Sequence, residues 1–496
     1  MTPFTRVSPG VSGTMAPNGI ARAYMHRFST DRQTDVHLPS SPSVLTTSHY
    51  GVRVRERSHP ADREILRLAF PAFLALVAEP LFLIADSAVV GHLGTGQLAG
   101  LGVAGVVLQT VTGVCVFLAY GTTAAVARRI GAGDLRGALT QGIDGLWLAL
   151  LIGALATIPC VALARPMVEV AGASGHVADQ GADYLRIAAL GITPLLLMMA
   201  ATGVLRGLQD TRTPMVVAVG GNLLNIGLNV TLVYGAGLGL RGSALGSLLA
   251  QLVAALALIA VVTRAARREH GIALRPDLAG IRQAARSGVA LVIRTLTLRA
   301  ALLITTYAVS RTGTGSDQAT ALATHQIAFT LWTFLAFVLD AIAIAAQAIT
   351  GRALGAGVPE AVREATRRMI RWGVVVGIAG GVVLAAASPV LGALFTEDPI
   401  VRDRLVGVLL VAALAEPICG VVFVLDGVLI GAGDGRYLAY GGLLTLVAYV
   451  PVLALTVALG GGVAWVWAAF SFVFMAARFA VVTLRARGDG WLVLGA

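Results

Sequence analysis

From Ile65 onward the chain alternates long apolar runs with short polar or glycine-rich breaks. A hydrocarbon core about 30 Å thick needs about 20 helical residues to cross it. On that ruler six spans are predicted in the first half, near 65–90, 101–127, 140–164, 181–204, 213–235 and 240–263. Six more follow near 284–310, 321–350, 370–395, 404–430, 437–459 and 462–484. The stretch 264–286 holds Pro276 and little hydrophobicity, and is read as a hinge. The predicted fold class is therefore an all-α polytopic membrane protein, with about 12 transmembrane helices as two pseudo-symmetric six-helix lobes around a central cavity. Its parts are a first lobe at 59–264, a linker at 265–283, a second lobe at 284–485 and a cytoplasmic tail at 486–496.

The two halves repeat each other at a spacing of roughly 220 residues. Leu205-Arg206-Gly207-Leu208-Gln209-Asp210-Thr211-Arg212 returns as Leu429-Ile430-Gly431-Ala432-Gly433-Asp434-Gly435-Arg436, and Ile130-Gly131-Ala132-Gly133 returns as Leu354-Gly355-Ala356-Gly357, at the same offset. An even number of spans separates the copies, so they share one orientation. A duplicated half, each copy with several apolar spans, is the pattern of a transporter whose substrate passes between two related bundles. Prolines inside spans, at Pro71, Pro80, Pro159, Pro194, Pro417 and Pro451, either kink a helix or mark backbone that lines a cavity.

Composition agrees: the chain is 56% hydrophobic and 13% charged, far from a soluble core of this size. Every basic residue is arginine, and the net charge of +11 reflects orientation rather than a nucleic-acid surface. The arginines cluster at 128–136, 264–286 and 363–371, while the alternate loops at 91–97, 235–242 and 460–462 hold almost none. The positive-inside rule puts the first set and both termini in the cytoplasm of a cell (plasma or inner) membrane. Cys115, Cys160 and Cys419 lie in apolar runs and are read as small packing residues, with no metal site. Residues 1–58 are rich in Ser, Thr, Pro and Arg, include alternative starts at Met15 and Met25, and are expected to be a disordered cytoplasmic extension.

Charges at membrane depth cost about 2.5–3.5 kcal/mol each, so each is a functional candidate. The acidic set is Glu79, Asp86, Asp340, Glu416 and Asp426, and Arg294 and Arg299 sit in the seventh span. Glu79 and Asp86 share a helix face, about 10 Å apart along the axis. Asp86 lies among Leu83, Ile84, Ala85, Ala88 and Val89, a setting in which a carboxyl can bind and release a proton. Asn222, Asn225 and Asn229 form a polar stripe on the fifth span, with Ser247 on the sixth. Such amides pair with a protonated carboxyl or ligate a small cation, and they also glue helices together without further function. Arg294 and Arg299 are the expected partners of Asp340, with a buried ion pair and a substrate role equally weighted. His325 and Gln326 can add a titrating or hydrogen-bonding group, although a lone histidine is more often structural.

Gly131-Ala132-Gly133-Asp134 and Gly431-Ala432-Gly433-Asp434 match the G-x-G-D of intramembrane aspartyl proteases, but each aspartate falls in a short loop rather than at mid-membrane. No phosphate-binding loop and no H-E-x-x-H occurs, and the loops are too short for an enzymatic domain.

The chain resembles the multidrug and toxic compound extrusion (MATE) family, in its DinF-like branch, over about residues 60 to 485. The resemblance is carried by Phe70-Pro71-Ala72 with Asp86-Ser87-Ala88-Val89-Val90-Gly91-His92-Leu93-Gly94, by the 205–214 motif ending in Thr213-Pro214, by Asn225-Ile226-Gly227-Leu228-Asn229, and by Ala345-Ala346-Gln347-Ala348-Ile349-Thr350-Gly351-Arg352-Ala353-Leu354-Gly355. The resemblance implies a V-shaped cavity between two lobes and antiport of organic cations or other amphipathic toxins against protons or sodium ions, with no other cofactor. It also implies a cation site built from a first-span carboxylate, an asparagine and then an aspartate on the fifth span, and a sixth-span hydroxyl. Asp86, Asn225 and Ser247 match that pattern, and Asn229 stands where its second carboxylate would be. Less charge to hold a dehydrated sodium ion favours proton coupling through Asp86, with a sodium ion at Asp86 as the alternative. The expected protein is an efflux transporter of small amphipathic substrates, working as a monomer in a lipid bilayer. A lipid-linked precursor flippase of the same superfamily ranks below it, because only Arg294 and Arg299 would line its cavity. An intramembrane enzyme ranks lower still, without a catalytic pair at one depth.

Overall fold

The computed structural model describes residues 60–269 and 272–495, and the predicted N-terminal extension lies outside them. Among the described residues, twelve helices are long and apolar enough to cross a membrane. They are α1 (Ala61–Gly91), α2 (Thr95–Gly131), α3 (Leu135–Ala162), α4 (Gly175–Gly207), α5 (Arg212–Gly235) and α6 (Gly239–Arg268) in the first half. The second half supplies α7 (Leu278–Ser310), α8 (Ser316–Gly355), α9 (Pro359–Leu394), α10 (Pro399–Gly431), α11 (Gly435–Ala458) and α12 (Val463–Arg487).

Most helices run past the apolar spans read from the sequence. Hydropathy marks the part that crosses lipid, whereas the helix itself continues until a cap or turn stops it. Asp134, Asp277 and Asp398 cap α3, α7 and α10 by accepting from the backbone N–H groups of Gly137, Ala279 and Ile400 at 2.7, 3.0 and 2.8 Å. The stretch expected as a linker is partly helical, since α6 reaches Arg268 and α7 starts at Leu278. Trp147 of α3 donates its indole N–H to the Leu274 carbonyl at 3.0 Å, tying this connection to the first lobe.

The repeat is visible in the turns. α2, α4, α8 and α10 each end with a residue at positive φ: Gly133 (78°), Gln209 (65°), Gly357 (73°) and Gly433 (76°). In each, the N–H of that residue bonds to the carbonyl three positions back, which satisfies carbonyls that the helix end would otherwise orphan. Gln209 takes the place of glycine and pays a left-handed backbone of about 1–2 kcal/mol. Its side chain crosses to the other lobe, donating from Nε2 to the Ala348 carbonyl at 3.1 Å.

The lobes meet in the half of the protein nearest the arginine-rich end. α8 is buried on almost every side from Leu339 to Gly351, as a helix apolar all round should be. There it packs on α10 of its own lobe and on α1 and α2 of the other. Ala72 of α1 clusters with Ala341 and Ile344 of α8, and Phe73 meets Phe334 edge to face at 6.3 Å. The closest approach is reciprocal. A Cβ on Gly131 would lie 1.9 Å from the Arg352 carbonyl oxygen, and one on Gly355 would lie 1.9 Å from that of Arg128. At the same end Arg352 pairs with Glu64 at 2.5 Å, while Asp62 accepts from Arg368 at 3.4 Å and from the Trp372 indole at 3.0 Å. Cys115, Cys160 and Cys419 are free and buried.

The atom facing Gly355 is backbone, which cannot swing aside as a flexible side chain can. Gly355→Ala is therefore expected to push α2 and α8 apart and to lower thermal stability in detergent by several degrees. Substitution of Gly357, whose added Cβ meets nothing within 4 Å, tests turn strain alone and separates it from crossing distance.

Candidate functional site

In the first lobe, α1, α4, α5 and α6 bring one buried carboxyl and its partners together. Asp86 is 4% exposed. Its Oδ1 accepts from Asn229 Nδ2 at 2.8 Å and from Ser243 Oγ at 2.5 Å, and its Oδ2 accepts from the Tyr184 hydroxyl at 3.4 Å. Asn229 Nδ2 also donates to Asn225 Oδ1 at 3.1 Å, and Asn225 Nδ2 donates to Ser247 Oγ at 3.0 Å. The four residues singled out in the sequence, Asp86, Asn225, Asn229 and Ser247, thus form one chain of hydrogen bonds. Gly246 lets the Asn229 amide in, since a Cβ there would sit 2.1 Å from Asn229 Oδ1. That oxygen is buried and has no hydrogen-bond partner among the described residues.

Ser243 and Tyr184 were missed in the sequence. Ser243 precedes Ser247 by one helical turn, so the same periodicity that linked Asn225 to Asn229 would have found it. A tyrosine in an apolar helix needs a partner for its hydroxyl, which is a weaker cue. Just past Asn229 the helix widens into a π-turn, Thr231–Gly235, a distortion common beside functional residues. Asn222, on the same stripe, turns instead to the Ala78 carbonyl of α1 at 2.5 Å.

The remaining candidates divide into three groups. Glu79 and Arg299 are both exposed and lie within electrostatic reach of each other, one from each lobe. Arg299 also packs on the backbone of Gly113 in α2. The second group is a buried charge network that differs from the expected Arg294–Asp340 pair. Arg294 donates to Asp426 Oδ2 at 2.7 Å, and Arg478 of α12 donates to the same oxygen. Asp340 accepts instead from the Tyr120 hydroxyl of the first lobe at 3.5 Å, with Arg206 and Arg294 in electrostatic reach. Arg478 carried its own signal, a charge inside the twelfth span, and went unread.

The third group stays apart from both networks. Trp467 Nε1, which can only donate, points at His325 Nδ1 at 3.2 Å. The ring proton therefore sits on Nε2, which faces Thr306 Oγ1 at 3.0 Å. His325 is thereby held as a neutral anchor in an aromatic cluster with Phe329 and Trp467. Gln326 is exposed. Glu416 is 1% exposed, its backbone and Cβ against Gly377 and Gly381 of α9, and its Oε1 has no partner among the described residues. Asp134 and Asp434, from the protease-like motif, pair at helix ends with Arg129 at 3.0 Å and Arg485 at 2.6 Å.

The MatE family model matches the chain twice, over residues 71–231 and 291–455, once in each half. The chain belongs to the MATE family. Similar proteins include DETOXIFICATION 44, chloroplastic, of Arabidopsis thaliana, 30% identical over 87% of this chain and 84% of that protein. DNA damage-inducible protein F of Escherichia coli is 30% identical over 75% of this chain and 81% of its own length, in keeping with the DinF-like branch. A crystal structure of a MATE transporter in the bent conformation superposes with a TM-score of 0.79 at 23% identity, covering 86% of this chain and 96% of that one. An outward-facing multidrug resistance MATE transporter gives 0.77 at 23%, with the same coverage. This MATE protein is a multi-pass membrane transporter and not an enzyme.

Within the second lobe, Asp426 is the one acid bonded to two largely buried guanidinium groups. Asp426→Ala leaves Arg294 and Arg478 without that acid and is expected to cost about 3–5 kcal/mol. Urea or thermal unfolding in detergent measures it. The double variant Asp426→Leu with Arg478→Met should recover part of the loss, because it removes one of the stranded charges as well.

Proposed function

We propose that this MATE protein is a proton-coupled efflux transporter that exchanges amphipathic or cationic drugs and toxins for protons across a cell membrane. The arginine-rich end and both termini face the cytoplasm in this reading, following the positive-inside rule. The chain works as a monomer, its two lobes rocking between inward- and outward-open states around the substrate path. The relatives named as probable multidrug resistance proteins, such as NorM of Thermotoga maritima, support the substrate class.

One observation carries the choice of ion: every polar contact to Asp86 is a donor. Asn229 Nδ2, Ser243 Oγ and Tyr184 OH all point hydrogens at it. Of the nearby oxygens that a sodium ion would recruit, Asn225 Oδ1 and Ser247 Oγ each already accept an amide N–H, while Asn229 Oδ1 has no hydrogen-bond partner among the described residues. A sodium ion would find that one free amide oxygen but only one carboxylate to hold it, and would have to turn aside the donors that already face Asp86. A proton asks for less. When Asp86 is protonated, the Ser243 and Tyr184 hydroxyls can rotate from donor to acceptor. The Asn229 NH2 group cannot, so its bond to the carboxyl oxygen weakens, and with it the link between α1 and α5. Protonation is thus converted into a local change in how α1 is held, which is the differential contact that a two-state transporter requires.

The test is efflux of a fluorescent lipophilic cation from liposomes, driven by a pH gradient or by a sodium gradient. Proton-driven transport that falls at least tenfold in Asp86→Asn is the expected result. Transport that follows sodium, or an Asp86→Asn protein that still runs on protons, moves coupling to Asp340 or Glu416 and rejects the mechanism. Ser243→Ala should retain transport with a shifted pH profile, since Tyr184 remains as a reversible partner.

A further inference from the structure

Arg128 and Arg352 occupy the same place in the two copies, each three residues before the glycine of the α2–α8 crossing. Each must reach across to the opposite lobe, and they do so differently. Arg352 meets Glu64 at the start of α1. The counterpart of α1 in the second half is α7, which has no Asp or Glu anywhere along its length. Arg128 has no acid to meet there.

Its guanidinium is filled instead by carbonyls of the second lobe. Nη1 donates to Ala432 at the end of α10 at 3.1 Å, Nε donates to Gly495 at 2.6 Å, and Nη2 donates to Val493. Two of these acceptors belong to residues 488–495, which fold back beneath the lobes after α12. The segment is fastened at several points. Trp491 is 2% exposed and belongs to the core shared by both lobes, with its indole N–H on the Ala486 carbonyl at 3.3 Å. Gly495 N–H donates to Leu354, one residue before Gly355, at 3.1 Å. Asp489 pairs with Arg363 at 2.7 Å, and Arg485 holds both Asp434 at 2.6 Å and the Gly490 carbonyl at 3.1 Å.

We propose that residues 488–495 are a strap that holds the arginine-rich end closed, substituting for the acid that the second copy lacks. Separating α2 from α8 and α10 breaks all three Arg128 bonds together, so release of the strap is a step in opening that end. The strap biases the resting protein toward the state closed there. This rests on the alternating-access reading above, but not on the identity of the coupling ion.

The experiment is pulsed electron–electron spin resonance on the full chain in lipid nanodiscs. Nitroxides are placed at Arg212→Cys and Ala361→Cys, exposed positions on opposite lobes at that end, with the three native cysteines replaced by serine. Arg128→Gln and Trp491→Ser are each expected to raise the population of the longer, open distance about tenfold without gradient or substrate. Trp491→Phe should keep the parent distribution. If Trp491→Ser does not fold, Arg128→Gln together with truncation after Gly488 carries the test. Unchanged distances in monodisperse strap variants, while the parent switches with pH or substrate, overturn the strap alone. A parent with a single distance under every condition overturns the strap and the alternating-access reading together.

Discussion

The crossing of α2 and α8 is the constraint on which the rest of the structure depends. Two helices approach so closely at Gly131 and Gly355 that neither could carry a Cβ without meeting the other's backbone carbonyl at 1.9 Å. Close approach of this kind gives dispersion contact and shape without polar adhesion, which suits helices in lipid, where no hydrophobic force drives them together. Because the contact is reciprocal, it fixes a local two-fold relation between the halves. The arginines, turns and caps around it then fall into paired positions.

The two copies share this frame and differ in what they bury. The first lobe buries an acid among neutral donors: Asp86 with Asn229, Ser243 and Tyr184. The second buries an acid among cations: Asp426 between Arg294 and Arg478. The contrast assigns different work to them. A carboxylate clamped by two guanidinium groups is fixed by two charge-assisted hydrogen bonds, whereas one faced by hydroxyls has a partner in either protonation state. The shared frame thus carries a carboxyl faced by hydroxyls and an amide in one copy, and one clamped by guanidinium groups in the other.

Much of this was readable from the chain. Twelve spans, their division into two halves and the repeated turn motifs all follow from hydropathy and offset, because the bilayer imposes a length on every helix and duplication imposes a register. The Asp86–Asn225–Asn229–Ser247 chain was legible from i, i+4 spacing within α5 and one matched motif. Ser243 was legible by the same rule and overlooked. The partners of Asp340 were not: Arg294 lies on α7, and whether it turns to Asp340 of α8 or Asp426 of α10 depends on how three helices rotate about their axes, which span prediction leaves open. Helix ends were also underestimated, since capping by Asp134 or Asp398 is a polar signal outside any apolar window. Gln209 shows the limit most plainly. Its position in the repeat predicts a glycine-like turn, yet the reason a glutamine is accepted there, its bond to Ala348 of the other lobe, exists only once the lobes have docked.

That docking is built from contacts of unequal reversibility. The ion pairs that cross it, Glu64 with Arg352 and Asp62 with Arg368, have partly exposed side chains, between 22% and 29%, and pairs of this kind contribute at most about 1 kcal/mol each. The left-handed backbone of Gln209, which costs about 1–2 kcal/mol, is a term of opposite sign, offset in the docked protein by its amide's bond to Ala348. Closure at this end is therefore a sum of small terms of both signs laid over a tight apolar crossing. Such a balance can be tipped by a change as small as one hydrogen bond near Asp86, provided that α1 connects the two. It does: the same helix carries Asp62 and Glu64 at one end and Asp86 at the other, with Pro71 and Pro80 between them, so under the proposed coupling a change in how Asp86 is held reaches the contacts that keep the lobes together through one continuous helix that can flex at two prolines.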